Sequence, residues 1–146
     1  MPEVDFYILS TAGEKPLLMY ACEIAEQAWK RGEHVHVQLS SEKQAQQFDD
    51  LLWTFRQDSF VPHELKGELQ GTAESAPGRA VTLGFSATLP AQCALVVNLS
   101  EQVPDGFAHC QRIAELVSPD DDYRQRARAR YRDYREAGCT LNNHNV

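Results

Sequence analysis

Residues 94–99 read Ala94-Leu95-Val96-Val97-Asn98-Leu99, apolar at every position but one. A strand exposed on one face alternates apolar and polar side chains, whereas a strand covered on both faces of a parallel sheet runs apolar almost continuously. The stretch from Cys93 to Leu99 therefore predicts a buried strand of a sheet covered on both sides. Working outward, Ala80 to Phe85 predicts a second strand and Arg112-Ile113-Ala114-Glu115-Leu116-Val117 a weaker one. Val4 to Leu9 mixes β-branched and aromatic residues as buried strands do, and His34 to Leu39 alternates over a shorter run.

Helical periodicity fills the gaps. Between Lys15 and Arg31, Leu18, Cys22, Ala25 and Trp29 recur at spacings of three and four, one apolar face, and Gly32 follows as a stop. Ser40 or Ser41 caps a second helix with Ala45, Phe48 and Leu52 on its apolar face, ending near Trp53. Residues 54–78 are the least periodic and read as a long connection. Ser118-Pro119-Asp120-Asp121 predicts an N-cap, a proline at the first helical position and an acid at the third, opening a helix that continues through Tyr134 and stops at Gly138. Strands alternating with helices imply an α/β fold, a mostly parallel sheet with helices on both faces.

The chain's 146 residues fit one domain, and 42% hydrophobic with 24% charged residues is ordinary for a soluble protein. No apolar run approaches the roughly 20 residues that span a bilayer. The chain enters its first strand without a basic stretch, so no secretory signal is expected and the cytoplasm is the expected compartment. Cys22, Cys93, Cys110 and Cys139 form no C-x-x-C pair, which favours reduced thiols and gives no zinc pattern. His34 and His36 alternate on one strand without a second ligand pair, so no metal site is expected.

A sheet of this kind raises the question of nucleotide binding. After the first strand the chain reads Ser10-Thr11-Ala12-Gly13-Glu14-Lys15, and one glycine does not make a phosphate cradle. Asp49-Asp50 reads as a solvated helix face, Asp120-Asp121-Asp122 as acids at a helix N-terminus, and Cys110 beside His109 as a buried thiol. No catalytic residue and no cofactor is expected.

Charge is unevenly placed. The net charge of −7 opposes direct gripping of nucleic acid, because phosphate binding needs a basic surface. Residues 1–118 hold 8 basic and 16 acidic side chains, and residues 119–146 hold 6 and 5. Six arginines and one aspartate fall within residues 124–135. Arg124, Arg128 and Arg132 lie four apart, with Tyr131 and Arg135 on the same side, while Tyr123, Ala127 and Tyr134 follow a line that can face the core. By itself the stripe reads either as a solvated face or as a site for an anionic partner, arginine being suited to hold carboxylates or phosphates in a fork.

Several stretches in order resemble the chi subunit of bacterial DNA polymerase III. They are Phe6-Tyr7-Ile8-Leu9, Cys22-Glu23-Ile24-Ala25 through Trp29, Glu42-Lys43-Gln44-Ala45 and Leu52-Trp53. Ser59-Phe60-Val61-Pro62-His63-Glu64-Leu65 and the run from Val117 through Ala127 to Arg135 complete them. The resemblance implies a single domain over residues 1–146, a Rossmann-like three-layer fold lacking the nucleotide-binding loop. It also implies a DNA-replication accessory subunit of the clamp-loader assembly within a DNA-directed DNA polymerase (a nucleotidyltransferase), with no activity of its own. Its partners would be the psi subunit and the acidic C-terminal tail of single-stranded DNA-binding protein, with nucleic acid reached only indirectly and no membrane. The tail site would use Val117, Arg124, Arg128 and Tyr131, the family often having lysine where Arg124 stands. Trp53, Phe60, Pro62 and His63 would face psi, or a repair helicase. The alternative is a degenerate nucleotide-binding-like module with a different acidic partner, such as a DNA-repair helicase.

Overall fold

The structure, a computed structural model, describes residues 2–54, 63–66, 81–85, 89, 94–104 and 106–146, with the backbone alone for 52–54 and 63–66. In chain order the elements are β1 (Glu3–Ile8), α1 (Glu14–Lys30), β2 (Val35–Gln38), α2 (Glu42–Thr54), β3 (His63–Lys66), β4 (Val81–Gly84) and β5 (Leu95–Asn98). A short 3-10 turn at Phe107–His109, β6 (Arg112–Val117), α3 (Asp121–Ala137) and β7 (Thr140–Asn145) complete it. The strands form one sheet in the order β3-β4-β2-β5-β6-β1-β7. Every neighbouring pair is parallel. The fold is α/β in three layers.

Alternation along each strand sorts the core in two. Val35, Val37, Val97 and Leu116 point to the face covered by α1 and α2, where Leu17, Ala21, Cys22 and Phe48 meet them. Val4, Phe6, Val96, Ile113 and Val117 point to the opposite face, against Ala127 and Tyr134 of α3. The helix starts follow local chemistry. Ser41 Oγ accepts the Gln44 N–H at 3.1 Å, and Gln44 Oε1 accepts from the Ser40 N–H at 2.8 Å, so Ser41 is the cap of α2. Gly138, at φ 94°, ends α3 and turns the chain into β7, with the Cys139 N–H donating back to the Tyr134 carbonyl.

The structure corrects two expectations and adds an element that the sequence reading left unassigned. The connection over 54–78 contains a strand, β3, paired with β4. The polar run after Gly138 forms β7, paired along β1. The last helix begins at Asp121, not Pro119, and its N-cap is Asp120. Ser118 Oγ donates to Asp120 Oδ2 at 2.8 Å instead of capping a helical N–H.

The second core encloses a polar network. Glu115, 0% exposed, projects from β6 toward α3. Arg130 Nε donates to its Oε1 at 2.9 Å. The Tyr134 hydroxyl and Asn98 Nδ2 donate to Oε2 at 2.5 and 2.7 Å. Arg130 Nη1 and Asn98 Nδ2 donate to the Glu101 and Gln102 carbonyls, tying the chain after β5 to the same knot. A carboxylate this buried is tolerable only when paired and hydrogen bonded.

Desolvation pushes the Glu115 carboxyl above its ordinary value of 4.5, opposed by the guanidinium and by the three side-chain hydrogen bonds. Because the folded chain then holds that proton more tightly than the unfolded chain, the stability due to protonation is present at low pH. It is lost as pH rises through the raised value. Arg130→Met removes the main opposing charge and strengthens the effect. The variant is expected to lose about 3 kcal/mol against wild type near neutral pH. The loss shrinks as the pH is lowered from neutral into the acid range and the orphaned carboxyl takes up a proton. Urea unfolding of both proteins across that range measures it; a loss independent of pH would contradict the assignment.

Candidate functional site

The six arginines of α3 do not share one fate. Arg130 is buried against Glu115. Arg126 lies over the Tyr123 ring, its guanidinium carbon 5.2 Å from the centroid. Arg124, Arg128, Arg132 and Arg135 are exposed, and among the described residues none has a carboxylate within ion-pair distance. The sequence suggests Asp133 and Glu136 as the acids available to this helix. The acid that engages it is Glu115, from β6, the strand just before the helix, and it takes only the arginine that points inward.

Beside the exposed pair Arg124 and Arg128 runs a groove of about 410 Å³ between α3 and β7, lined by both arginines with Phe6, Ile8, Val117, Ala127, Tyr131, Asn143 and Asn145. Its floor is apolar. Phe6 and Val117 come from adjacent strands and are nearly fully buried. Tyr131, half-buried, leans on Phe6 with ring centroids 5.3 Å apart and an interplanar angle of 53°. The groove falls within the size range of ligand pockets, about 300–1,000 Å³. Donor-only guanidinium groups above a greasy notch suit a ligand that is anionic and apolar within a short distance, such as a carboxylate-bearing peptide.

Val117, Arg124, Arg128 and Tyr131, singled out in the sequence, thus line one groove. Phe60 and Pro62 lie outside the described residues. Trp53 falls in the last turn of α2 and His63 opens β3, and only their backbones are described. Phe6, Ile8, Asn143 and Asn145 are groove residues that sequence reading did not assign. The alternation of Phe6 and Ile8 across from Val117 was the available signal for the first two.

A slightly larger groove, about 480 Å³, lies at the carboxyl ends of β2 and β5. Doubly wound folds hold nucleotides at such a position, where neighbouring strands connect in opposite directions. Here Ser40, Ser41, Ser100, Glu101 and Gln102 line it. Glu101 brings negative charge, none of the described lining residues is a lysine or arginine, and no glycine stands between β2 and α2. Its chemistry opposes a phosphate, so size is the poorer guide and the arginine groove the better candidate.

Among the described residues no three His, Cys, Asp or Glu side chains converge as a metal site. Both ring nitrogens of His36 are engaged, by Thr82 Oγ1 at 2.7 Å and Gln38 Oε1 at 3.0 Å. Burial pushes the Cys22 thiol up to about 12, away from the reactive thiolate. Cys110 is buried in the second core while its neighbour His109 is exposed. No described helix is long and apolar enough to cross a membrane.

The family model described as "DNA polymerase III chi subunit, HolC" matches residues 1–142. The protein named DNA polymerase III subunit chi from Pseudomonas aeruginosa is 35% identical over 146 residues, covering 100% of this chain and 98% of its own length. Proteins of the same name from Haemophilus influenzae and Escherichia coli are 34% and 31% identical. Each match covers 97% of this chain, with 96% and 97% of the respective relative. With matches running from end to end, the chain belongs to the DNA polymerase III chi subunit family.

Proposed function

We propose that the chain is a non-catalytic adaptor of the replication machinery, a single cytoplasmic domain that holds the acidic C-terminal tail of single-stranded DNA-binding protein in the arginine groove. Through a second surface it pairs with the psi subunit, so that the clamp loader is linked to coated template. The observation that carries this reading is the pair Arg124 and Arg128, exposed over the notch at Val117 and, among the described residues, without counter-carboxylates. Aspartates of the tail meet the guanidinium groups, and its terminal apolar side chain enters the notch beside Val117 and Tyr131. The net charge of −7 supports a protein tail over DNA itself as the anion.

The psi surface is assigned by resemblance to Trp53, Phe60, Pro62 and His63. His63 opens β3, at one edge of the sheet, and the groove's floor strand β1 is five strand positions away. At about 4.8 Å per strand that separation is about 24 Å. Two partners held so far apart need not compete, and tethering raises the local concentration of each without tight individual contacts.

A labelled aspartate-rich peptide ending in a free C-terminal phenylalanine, followed by fluorescence anisotropy, tests the tail site. Binding is expected on the order of micromolar, about −8 kcal/mol, and weaker as salt screens the exposed guanidinium groups. Arg128→Ala should weaken it at least about tenfold, the loss of one charge-assisted contact of about 1.5 kcal/mol or more; undiminished binding would remove the site assignment. In a pull-down with both partners present, Phe60→Ala should lose psi and keep the tail, and Arg128→Ala the reverse. Loss of both partners in either variant would deny two separate surfaces.

A further inference from the structure

β7 reads Thr140-Leu141-Asn142-Asn143-His144-Asn145, a poor strand by composition, since asparagine is depleted in strands. Its two faces are used differently. On one, Asn142 Nδ2 donates to Glu3 Oε2 at 3.0 Å, and His144 Nε2 lies 3.0 Å from Asp5 Oδ1, so both polar side chains are satisfied by β1. On the other, Leu141 packs into the core, and Asn143 and Asn145 follow it along the groove rim, opposite Phe6 and Ile8 in register. Both are exposed, and among the described residues neither carboxamide has a hydrogen-bond partner.

Resting on the reading of the groove as a tail site, we infer that β7 is its second wall: the carboxamides of Asn143 and Asn145 hydrogen bond the main chain of a bound, extended acidic peptide, while Arg124 and Arg128 hold its carboxylates. The two walls differ in chemistry. A guanidinium only donates and so selects oxyanions, whereas a carboxamide both donates and accepts, the complement of a peptide group. The two asparagines are alternate residues of one strand, about 6.8 Å apart, which is also the two-residue repeat of an extended peptide. A peptide lying along the groove parallel to β7 meets both carboxamides with equivalent main-chain groups. The occupant is fixed by charge complementarity on the helix side and by this repeat on the strand side.

The two contributions separate by salt. With the same labelled peptide, the Asn143→Ala/Asn145→Ala double variant should bind about tenfold more weakly than wild type, about 1.4 kcal/mol. The dependence of its affinity on salt should stay unchanged, because the lost contacts carry no net charge. Arg128→Ala should flatten that dependence. A peptide N-methylated at its central amides should lose affinity for wild type and lose little more on the double variant. Wild type that fails to bind the unmodified peptide would remove the tail reading and this inference together. Wild type that binds while the double variant binds equally well, or a double variant whose loss appears only as an altered salt dependence, would remove the asparagine wall and leave the tail site standing.

Discussion

Glu115 holds a carboxylate where no water reaches, and the orientation of α3 follows from what that group requires. Arg130 and Tyr134, four apart on the helix, both turn inward to meet it. At about 100° per residue, this phase leaves Arg124, Arg128 and Tyr131 on one flank of the helix and Arg126 on the other. The flank with Tyr131 faces Phe6 and β7, which is why apolar floor and free guanidinium groups occur side by side. Buried ion pairs contribute little net stability compared with apolar packing, and this one joins the packing of Ala127 and Tyr134 in tying one face of α3 to the sheet.

The same pair explains how a basic helix stays available on an acidic protein. Carboxylates outnumber cationic side chains by 21 to 14, yet among the described residues Asp133 and Glu136, though exposed on α3, lie within ion-pair distance of none of its arginines. Glu115 is spent on Arg130, and Asp121 and Asp122 sit in the first turn, where the helix dipole stabilises them. Glu3 and Asp5 face the other side of β1 and engage Asn142 and His144. Among the described residues lining the groove, the charged side chains are Arg124 and Arg128. Arginines at a spacing of four destabilise a helix somewhat, and an anionic occupant would relieve that repulsion.

The sequence was informative wherever burial imposes a pattern. β5, with Leu95, Val96 and Val97 buried, could not be mistaken, and it set the parallel sheet and the two covered faces. The faces of α1 and α2 were equally legible because Leu18, Cys22, Ala25, Ala45 and Phe48 repeat at helical spacing. β3 and β7 were not, because both are edge strands. An edge strand packs little, carries charged and polar residues that blunt unwanted pairing, and so loses the alternation by which strands are recognised. His63-Glu64-Leu65-Lys66 and the asparagines of β7 have this character. The Ser118-Pro119 start misled for another reason: proline is favoured at a first helical position, but here Ser118 is buried and bonds Asp120, which delays the helix by a turn's fraction. At the groove, the arginine and tyrosine spacing was visible, while the partnership of Glu115 with Arg130 spans 15 residues and no local pattern encodes it.

Topology accounts for where the groove opens. The chain leaves β6, runs through α3 and returns as β7, passing over β1, which lies between those two strands. A helix with its side chains is about 10 Å across, and strands lie about 4.8 Å apart. One helix therefore covers about two strands, and α3 reaches both Glu115 on β6 and Phe6 on β1. The groove lies beside α3 toward β7, floored by Phe6 and Val117 of the second core and by the half-buried Ile8. In related doubly wound folds, binding happens at the carboxyl ends of the strands and needs a glycine turn to admit phosphate. Here that turn is absent after β1, and the groove beside a crossover helix offers a different kind of site. It carries guanidinium groups on one wall and carboxamides on the other, with an apolar floor between them.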